Sequence, residues 1–216
     1  MIQLVIFDLD GTLLNTLDDL AYAANAALAS CGFASRSLQE VQAFIGNGVE
    51  KLLFRTLPDG QKTPENLARM KRAFLDYYFA HLWEHTHPYD GITEVLTALQ
   101  TRGIQLAVAS NKYFPATEKL LTHFFAHIPF VAVLGQQEGV ALKPDPAMVH
   151  TVLLQAHVKP ENALYVGDSD VDMQTARNAG VHACGALWGF RPREVLQQYH
   201  PEYLIETPRE LLSVIP

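Results

Sequence analysis

The chain has 216 residues, of which 49% are hydrophobic, so it can bury a sizeable core either as one domain with an insertion or as two small domains. Its 16 basic and 23 acidic residues give a net charge of −7 without a dense basic run, which argues against a nucleic-acid-binding protein. Cys31 and Cys184 lie far apart without a C-x-x-C spacing, which argues against a disulfide framework or a thiolate zinc site. The sequence also lacks a signal-like amino terminus and an apolar run of about 18 residues. We therefore expect a cytoplasmic protein with neither a membrane nor a nucleic-acid partner.

The first structural signal is the apolar run from Leu4 to Phe7, which ends abruptly in Asp8, Leu9 and Asp10. Apolar residues without alternation predict a strand that is buried on both faces of a parallel sheet. Ligand crevices of open α/β sheets lie at the carboxyl ends of the strands, so this position suits two reactive carboxylates. A simple turn is the alternative, because Asp and Gly also punctuate turns.

After Leu14 the hydrophobic period changes to three and four residues, which predicts a block of four amphipathic helices without an intervening strand. The helices are broken at Gly32, at Gly46-Asn47-Gly48 and at Pro58-Asp59-Gly60. We expect residues 16–84 to form an all-helical cap domain, inserted into a core of residues 1–15 and 85–216.

From Ile92 onward the pattern alternates between helices and short apolar strands. The predicted strands are Ile104 to Ala109, Phe130 to Leu134, Ala163 to Val166 and Val181 to Leu187. Asp145 is the predicted N-cap of one intervening helix, with Pro146 in its first turn. This alternation predicts an α/β core with a doubly wound parallel sheet and right-handed crossovers.

Polar clusters stand near the carboxyl side of this sheet, and we expect them to converge on one pocket. They are Asp8 with Asp10, Ser110 with Asn111, Lys143, and Asp168 with Asp172. Each has a commoner explanation by itself: a helix cap for Ser110-Asn111 and for Asp168-Ser169, and a solvated surface position for Lys143. Together, the carboxylates would repel one another unless a hard cation such as Mg²⁺ were present, and Lys143 would add a positive charge for a phosphate.

This combination points to phosphoryl transfer, in which positive groups must surround the transferring phosphoryl group. Asp8 is the candidate nucleophile because it directly follows the buried strand. Asp10 is the candidate general acid and base, and Asp168 completes the metal site.

The same residues resemble the four ordered motifs of the haloacid dehalogenase superfamily. The matching stretches are Asp8-Leu9-Asp10-Gly11-Thr12-Leu13, Ser110, Lys143-Pro144-Asp145-Pro146, and Gly167-Asp168-Ser169-x-x-Asp172. The order and the helical insertion resemble the phosphatase branch, and Gly46-Asn47-Gly48 with Gly135-Gln136-Gln137-Glu138-Gly139 resembles phosphoglycolate phosphatases. Asn15 departs from the acidic residue expected there.

The resemblance implies a role for each motif. Asp8 is the nucleophile, Asp10 the acid and base, Lys143 the charge stabiliser, and Ser110 with Thr12 binds the phosphate. Mg²⁺ would be held by Asp8, the backbone carbonyl of Asp10 and Asp168, with support from Asp172.

The cap segment Gly46-Asn47-Gly48 precedes a helix, so the backbone amides at that helix start and Lys51 are candidates to bind a second negative group of the substrate. Asn111 in the core is a further candidate for substrate binding. We therefore expect a Mg²⁺-dependent phosphomonoester hydrolase for a small metabolite such as 2-phosphoglycolate, as a monomer or weak homodimer. A sugar-phosphate phosphatase or a phosphomutase on the same fold is the alternative. A phosphate-accepting receiver domain and a non-catalytic phosphate-binding module are more remote. The segment Trp188-Gly189-Phe190-Arg191 either borders the pocket or packs in the core.

Overall fold

The computed structural model describes residues 1–215. Contacts divide the chain into two compact units: Met1–Asn15 together with the chain from Pro88 onward, and Thr16–His87. The first unit contains the main sheet and the second is helical. Within residues 1–215, no helix is both long and apolar enough to span a membrane.

Residues 1–215 contribute eight strands, six of which form one sheet. In chain order they are β1 (Leu4–Phe7), β2 (Leu14–Asn15), β3 (His87–Pro88), β4 (Gln105–Tyr113), β5 (Phe130–Gln136), β6 (Ala163–Gly167), β7 (His182–Ala186) and β8 (Tyr203–Ile205). β2 and β3 form a separate two-stranded sheet. The large sheet has the order β5-β4-β1-β6-β7-β8, and all of its neighbouring strands are parallel.

The strand order makes β1 the topological switch point of the sheet. The chain adds β4 and β5 on one side of β1 and then β6, β7 and β8 on the other side. Ligand crevices of open α/β sheets form where the order reverses, beyond the carboxyl ends of the strands. Asp8 follows β1 at that point, and its backbone N–H donates to the carbonyl oxygen of Val166 on β6 at 3.0 Å.

Ten α-helices accompany the strands in residues 1–215. They are α1 (Leu17–Ser30), α2 (Leu38–Phe44), α3 (Val49–Thr56), α4 (Pro64–Ala80), α5 (Ile92–Thr101), α6 (Phe114–Phe125), α7 (Ala147–Ala156), α8 (Asp170–Ala179), α9 (Arg193–Gln197) and α10 (Leu211–Val214). Short 3₁₀ turns occupy Pro160–Asn162 and Pro208–Glu210.

The sheet is buried on both faces at β1, as its continuous apolar run predicts. Leu4 and Ile6 belong to a core cluster that also contains the inward residues of α7 and α8. Val5 and Phe7 alternate to the opposite face and are also buried. The prediction of a doubly wound parallel sheet is confirmed.

The helical unit consists of α1 to α4, and α1 packs mainly against α4. Capping side chains fix the helix starts: Ser37 and Glu40 form a reciprocal capping box on α2, and Thr63 caps α4. Asp19 on α1 is buried and accepts hydrogen bonds from the backbone N–H groups of His85 and Thr86. This carboxylate therefore ties the returning chain to α1.

Two sequence predictions need correction, and one strand was missed. β4 does not end at Ala109 but continues through Ser110 and Asn111, so these residues do not cap a helix; Tyr113 is the N-cap of α6. The N-cap of α7 is Pro146 rather than Asp145, although Asp145 Oδ1 accepts from the backbone N–H of Ala147 at 2.9 Å. The edge strand β8 was not predicted, because it has only three residues.

Candidate active site

Asp8 lies at the centre of the candidate site and is buried. Its Oδ1 accepts from the backbone N–H of Leu9 at 2.7 Å and from Lys143 Nζ at 3.0 Å. Burial raises the pKa of Asp8 to about 6, opposed by the Lys143 ammonium and reinforced by Asp172; a hydrogen bond from Ser110 lowers it. The carboxylate is thus held rigidly in surroundings that disfavour its charge.

Lys143 is a buried cation, not the solvated surface residue that its sequence context alone would suggest. Nζ donates to Asp172 Oδ1 at 2.7 Å, to Tyr165 Oη at 2.9 Å and to Asp8 Oδ1 at 3.0 Å. The Asn111 amide holds the backbone of Lys143: its Nδ2 donates to the Lys143 carbonyl at 3.0 Å and its Oδ1 accepts from the Lys143 N–H at 2.8 Å. Asn111 therefore fixes the lysine in place from the end of β4.

Asp168 follows β6 and is almost completely enclosed. Oδ1 accepts from the hydroxyl of Thr12 at 3.2 Å, and Oδ2 accepts from the backbone N–H of Phe190 at 2.7 Å. Burial raises the pKa of this carboxyl well above its usual range, and the charges of Asp172 and Asp8 raise it further. A positive charge close to Asp168 would therefore favour the ionised form of this carboxyl.

Glycines make this close packing possible. A Cβ at Gly11 would lie 2.4 Å from Asp168 Oδ2, and a Cβ at Gly189 would lie 2.2 Å from the Cβ of Asp168. Gly11 also has a φ of 82°, which glycine adopts without strain. The turn at Gly11 and the segment after β7 that contains Gly189 therefore both pack directly against Asp168.

Asp172 combines a structural and an electrostatic role at the start of α8. Its Oδ2 accepts from the backbone N–H and the hydroxyl of Ser169 in a capping box, while Oδ1 accepts from Lys143 Nζ. Ser169 is thus the helix cap that the sequence suggested as one alternative for Asp168-Ser169. Both oxygens of Asp172 have protein donors, so this residue suits the supporting position that the resemblance implies.

Asp10 has a partner that the sequence reasoning missed. Lys112 Nζ lies 2.9 Å from Asp10 Oδ1 and 3.3 Å from Oδ2. The Lys112 side chain is only 4% exposed and that of Asp10 is 14% exposed. The site therefore contains a second buried lysine, positioned by the continuation of β4, which pairs with the candidate acid and base.

The carboxylate cluster fits a divalent cation. One ligand oxygen from each of Asp8, Asp168 and Asp172 can be chosen so that all three lie within 4.8 Å of one another. Lys143 pairs with Asp8 and Asp172 but not with Asp168, so the three carboxylates and this ammonium together carry two formal negative charges. Burial raises the pKa values of Asp8 and Asp168, and the neighbouring carboxylates raise them further. Hard oxygen donors in this number suit Mg²⁺.

The structure brings the predicted core residues together: Asp8, Asp10, Thr12, Ser110, Asn111, Lys143, Asp168 and Asp172 all belong to the α/β unit. Thr12 and Asn111 have protein partners in Asp168 and in the Lys143 backbone, respectively. Gly46, Asn47 and Gly48 belong to the helical unit, where Gly48 is the N-cap of α3 with a φ of 84°.

Other contributors were not predicted from the sequence. Lys112 has only its place after two polar residues as a signal, and Tyr165 is a single hydroxyl in an apolar strand. The Trp188-Gly189-Phe190-Arg191 segment contacts the site: Trp188 Nε1 donates to the Thr12 carbonyl at 3.0 Å, and the backbone N–H of Phe190 donates to Asp168 Oδ2 at 2.7 Å. It therefore braces the site residues.

Comparison with known proteins agrees with this architecture. The sequence model of haloacid dehalogenase-like hydrolases matches residues 5–186. The phosphoglycolate phosphatase of Mannheimia succiniciproducens is 33% identical over 219 residues, covering 99% of this chain and 98% of the relative. That of Cereibacter sphaeroides is 36% identical over 218 residues, covering 97% and 99%.

A similar solved structure is a predicted phosphoglycolate phosphatase from Haemophilus somnus, with a TM-score of 0.93 and 32% identity. The match covers 100% of this chain and 98% of that one. The chain therefore belongs to the haloacid dehalogenase-like hydrolases, and within that family it is a phosphatase.

Proposed function

We propose that the protein is a Mg²⁺-dependent hydrolase of small phosphomonoesters that works through a phosphoaspartate on Asp8, with 2-phosphoglycolate as its substrate. The observation that carries this proposal is the placement of Asp8: a rigidly held carboxylate at the switch point of the sheet, 3.0 Å from a buried ammonium and beside Asp168 and Asp172.

In the first step, the Asp8 carboxylate attacks phosphorus and the ester bond to the substrate oxygen breaks. The Lys143 ammonium contacts Asp8 directly, so it is in position to offset the negative charge that the phosphoryl oxygens bring. Ser110 hydrogen-bonds to Asp8 and is the proposed phosphate ligand from β4.

In the second step, water releases phosphate from Asp8. Asp10 supplies a proton to the departing alkoxide in the first step and removes one from the water in the second. Proton transfer of this kind contributes roughly 10²- to 10⁴-fold. Lys112 holds the Asp10 carboxylate by both oxygens and so limits its rotation.

Asp8 and Asp168 would hold Mg²⁺, with the Asp10 backbone carbonyl as a further ligand and Asp172 in support. When bound, the ion supplies charge neutralisation at the phosphoryl oxygens. The residues of the chain that keep this site in place are Thr12 and Phe190, which donate to Asp168.

The substrate assignment is supported by the names of the relatives, which are phosphoglycolate phosphatases over nearly the whole length of the chain. Recognition of the substrate carboxylate is assigned to Gly46-Asn47-Gly48, because the backbone amides at the start of α3 suit an anion. Lys51 in the first turn of α3 is exposed and adds a positive charge there.

The test is a phosphate-release screen over 2-phosphoglycolate, other phosphorylated acids and neutral sugar phosphates, with and without Mg²⁺. Wild-type protein should release phosphate from 2-phosphoglycolate most efficiently and only with Mg²⁺. Asp8→Asn should remove turnover because an amide cannot attack phosphorus, whereas Asp10→Asn keeps the nucleophile and should slow turnover by roughly 10²- to 10⁴-fold. Asp59→Asn, which removes an exposed carboxylate of the helical unit, is the control and should leave turnover unchanged.

Different outcomes point to different activities. Equal turnover of neutral sugar phosphates would replace the proposed substrate with a sugar phosphate. Transfer of phosphate between positions of a sugar, without accumulation of free phosphate, would indicate a phosphomutase. Turnover by Asp8→Asn comparable to that of wild type would refute the mechanism.

A further inference from the structure

The hydroxyl of Tyr165 lies at the centre of the site but belongs to none of its motifs. Tyr165 is on β6 and is completely buried. Its Oη donates to the carbonyl oxygen of Ala109 on β4 at 2.7 Å and accepts from Lys143 Nζ at 2.9 Å. Its distance to Asp172 Oδ1 is longer, at 3.4 Å.

These contacts join two strands that are not neighbours. β1 lies between β4 and β6, so Tyr165 crosses about 10 Å, two strand spacings, to reach Ala109. Ile6 on β1 is the register partner of both Tyr165 and Ala107, and all of these residues belong to the same core cluster. The small side chains of Ala107 and Ala109 leave room for the phenol ring on this face.

The hydrogen-bonding capacity of Lys143 explains why the hydroxyl matters. An ammonium has three protons, and the three partners of Nζ are Asp8, Asp172 and Tyr165. Asp172 is the closer of the two carboxylates, at 2.7 Å against 3.0 Å for Asp8. Tyr165 is the only neutral partner of the three, and it is itself anchored to the backbone of β4.

We infer that Tyr165 is a positioning residue for Lys143. Its hydroxyl is fixed by a hydrogen bond to the Ala109 carbonyl, accepts a hydrogen bond from the third N–H of the ammonium and so holds the lysine against Asp8. The inference rests on the proposed function in so far as Lys143 acts on the transferring phosphoryl group.

Packing alone does not account for a tyrosine here. Phenylalanine would fill the same space without a polar atom, and a buried hydroxyl is costly unless it is hydrogen-bonded. Both hydrogen bonds of this hydroxyl lead from β4 to Lys143. Burial raises the pKa of the Tyr165 hydroxyl well above its usual range, so it retains the proton that it donates.

The kinetic test is Tyr165→Phe. Without the hydroxyl, the ammonium keeps its two carboxylates but loses its fixed orientation, so kcat should fall by roughly 10- to 100-fold, the factor for one hydrogen bond to a charged group, with little change in KM. Tyr199→Phe is the matched control, because the Tyr199 hydroxyl accepts from Gln174 Nε2 at 3.3 Å, whereas the Tyr165 hydroxyl accepts from Lys143 Nζ. It should change neither constant.

A double-mutant cycle with Lys143→Met separates positioning from a general effect on the fold. If Tyr165 acts through Lys143, removing its hydroxyl has no further effect on kcat/KM in the Lys143→Met background. Independent effects that multiply in the double variant, or an unchanged kcat in Tyr165→Phe, overturn the inference.

Nitrogen-15 NMR of the lysine ammonium groups gives a measurement that does not require activity. Wild-type protein should show a slowly exchanging ammonium signal that Lys143→Met removes, that Tyr165→Phe shifts or broadens, and that Tyr199→Phe leaves unchanged. In wild-type protein the Tyr165 hydroxyl proton should also exchange slowly and show a contact with the ammonium. Rapid exchange of that proton, or a Lys143 signal that is the same in Tyr165→Phe, overturns the inference. A wild-type protein with these signals but no phosphatase activity would refute the proposed function alone.

Discussion

Asp8→Asn should stabilise the metal-free protein while it abolishes turnover. The folded structure raises the pKa of the Asp8 carboxyl from 3.8 to about 6, mainly through burial. At neutral pH the wild-type protein therefore keeps a carboxylate ionised in a place that disfavours its charge. The asparagine side chain resembles the protonated carboxyl and removes this cost.

The magnitude follows from the difference between the two pKa values. A rise from 3.8 to about 6 corresponds to about 3 kcal/mol in the free energy of unfolding. Because the folded-state pKa is the higher one, the stability associated with protonated Asp8 is complete below the unfolded value of 3.8 and is lost as the pH rises through about 6. The gain in the variant should be under about 1 kcal/mol at about pH 4 and should reach its full value above about pH 7.

Urea denaturation in the presence of a chelator, followed by circular dichroism from about pH 4 to about pH 8, measures this gain. Asp59→Asn is the control, because it removes an exposed carboxylate whose pKa is lowered by a hydrogen bond from Lys62. That variant should not become more stable at high pH. Added Mg²⁺ should narrow the difference in stability between wild type and Asp8→Asn, because folded wild-type protein keeps the Asp8 carboxylate as a ligand and so gains more stability from binding the ion.

If Asp8→Asn is no more stable than wild type above about pH 7 in the presence of chelator, the Asp8 charge does not destabilise the folded protein. A gain that is constant across the whole pH range would also refute this effect, since the cause would then be packing and not the charge of Asp8.

Three further predictions concern the metal, the substrate and the acid. Asp168→Ala should weaken Mg²⁺ binding by at least about tenfold in a calorimetric titration, because it removes a hard oxygen ligand; unchanged affinity would contradict the proposed site. Gly48→Val should erode the preference for phosphorylated acids over neutral phosphates, expected to be roughly 10- to 100-fold in kcat/KM; equal slowing of both substrate classes would mean that this segment does not read the second anion. Lys112→Met should slow the hydrolysis of alkyl phosphates more than that of p-nitrophenyl phosphate, because the p-nitrophenolate leaving group needs little protonation by Asp10. Lys112→Arg should restore part of the rate. Equal losses for both substrates would mean that Lys112 does not act through Asp10.

Much of the fold was readable from the sequence because its signals are local. The apolar run of β1, the helical period of α1 to α4 and the alternation after Ile92 each depend on residues that are close in the chain. The residues of the family motifs could be predicted for the same reason: each stands at or near the end of a recognisable strand or the start of a helix.

Other features depended on tertiary context. β4 continues through Ser110, Asn111 and Lys112, because β5 pairs with it again at Tyr113 after a register shift beyond Ala109. No local pattern shows that pairing, so the polar residues at its end looked like a helix start.

The sequence by itself predicted the carboxylates and the motif lysine of the candidate site, because Asp8 and Asp168 follow recognisable strands and Lys143 and Asp172 lie near helix starts. The tertiary structure decided their partners. Lys112 faces Asp10, 102 positions away in the chain, and Tyr165 reaches over β1 to Ala109, 56 positions away. Such contacts arise only when the crossovers bring distant strands side by side, and the burial that follows from this packing is what raises the pKa values of Asp8 and Asp168.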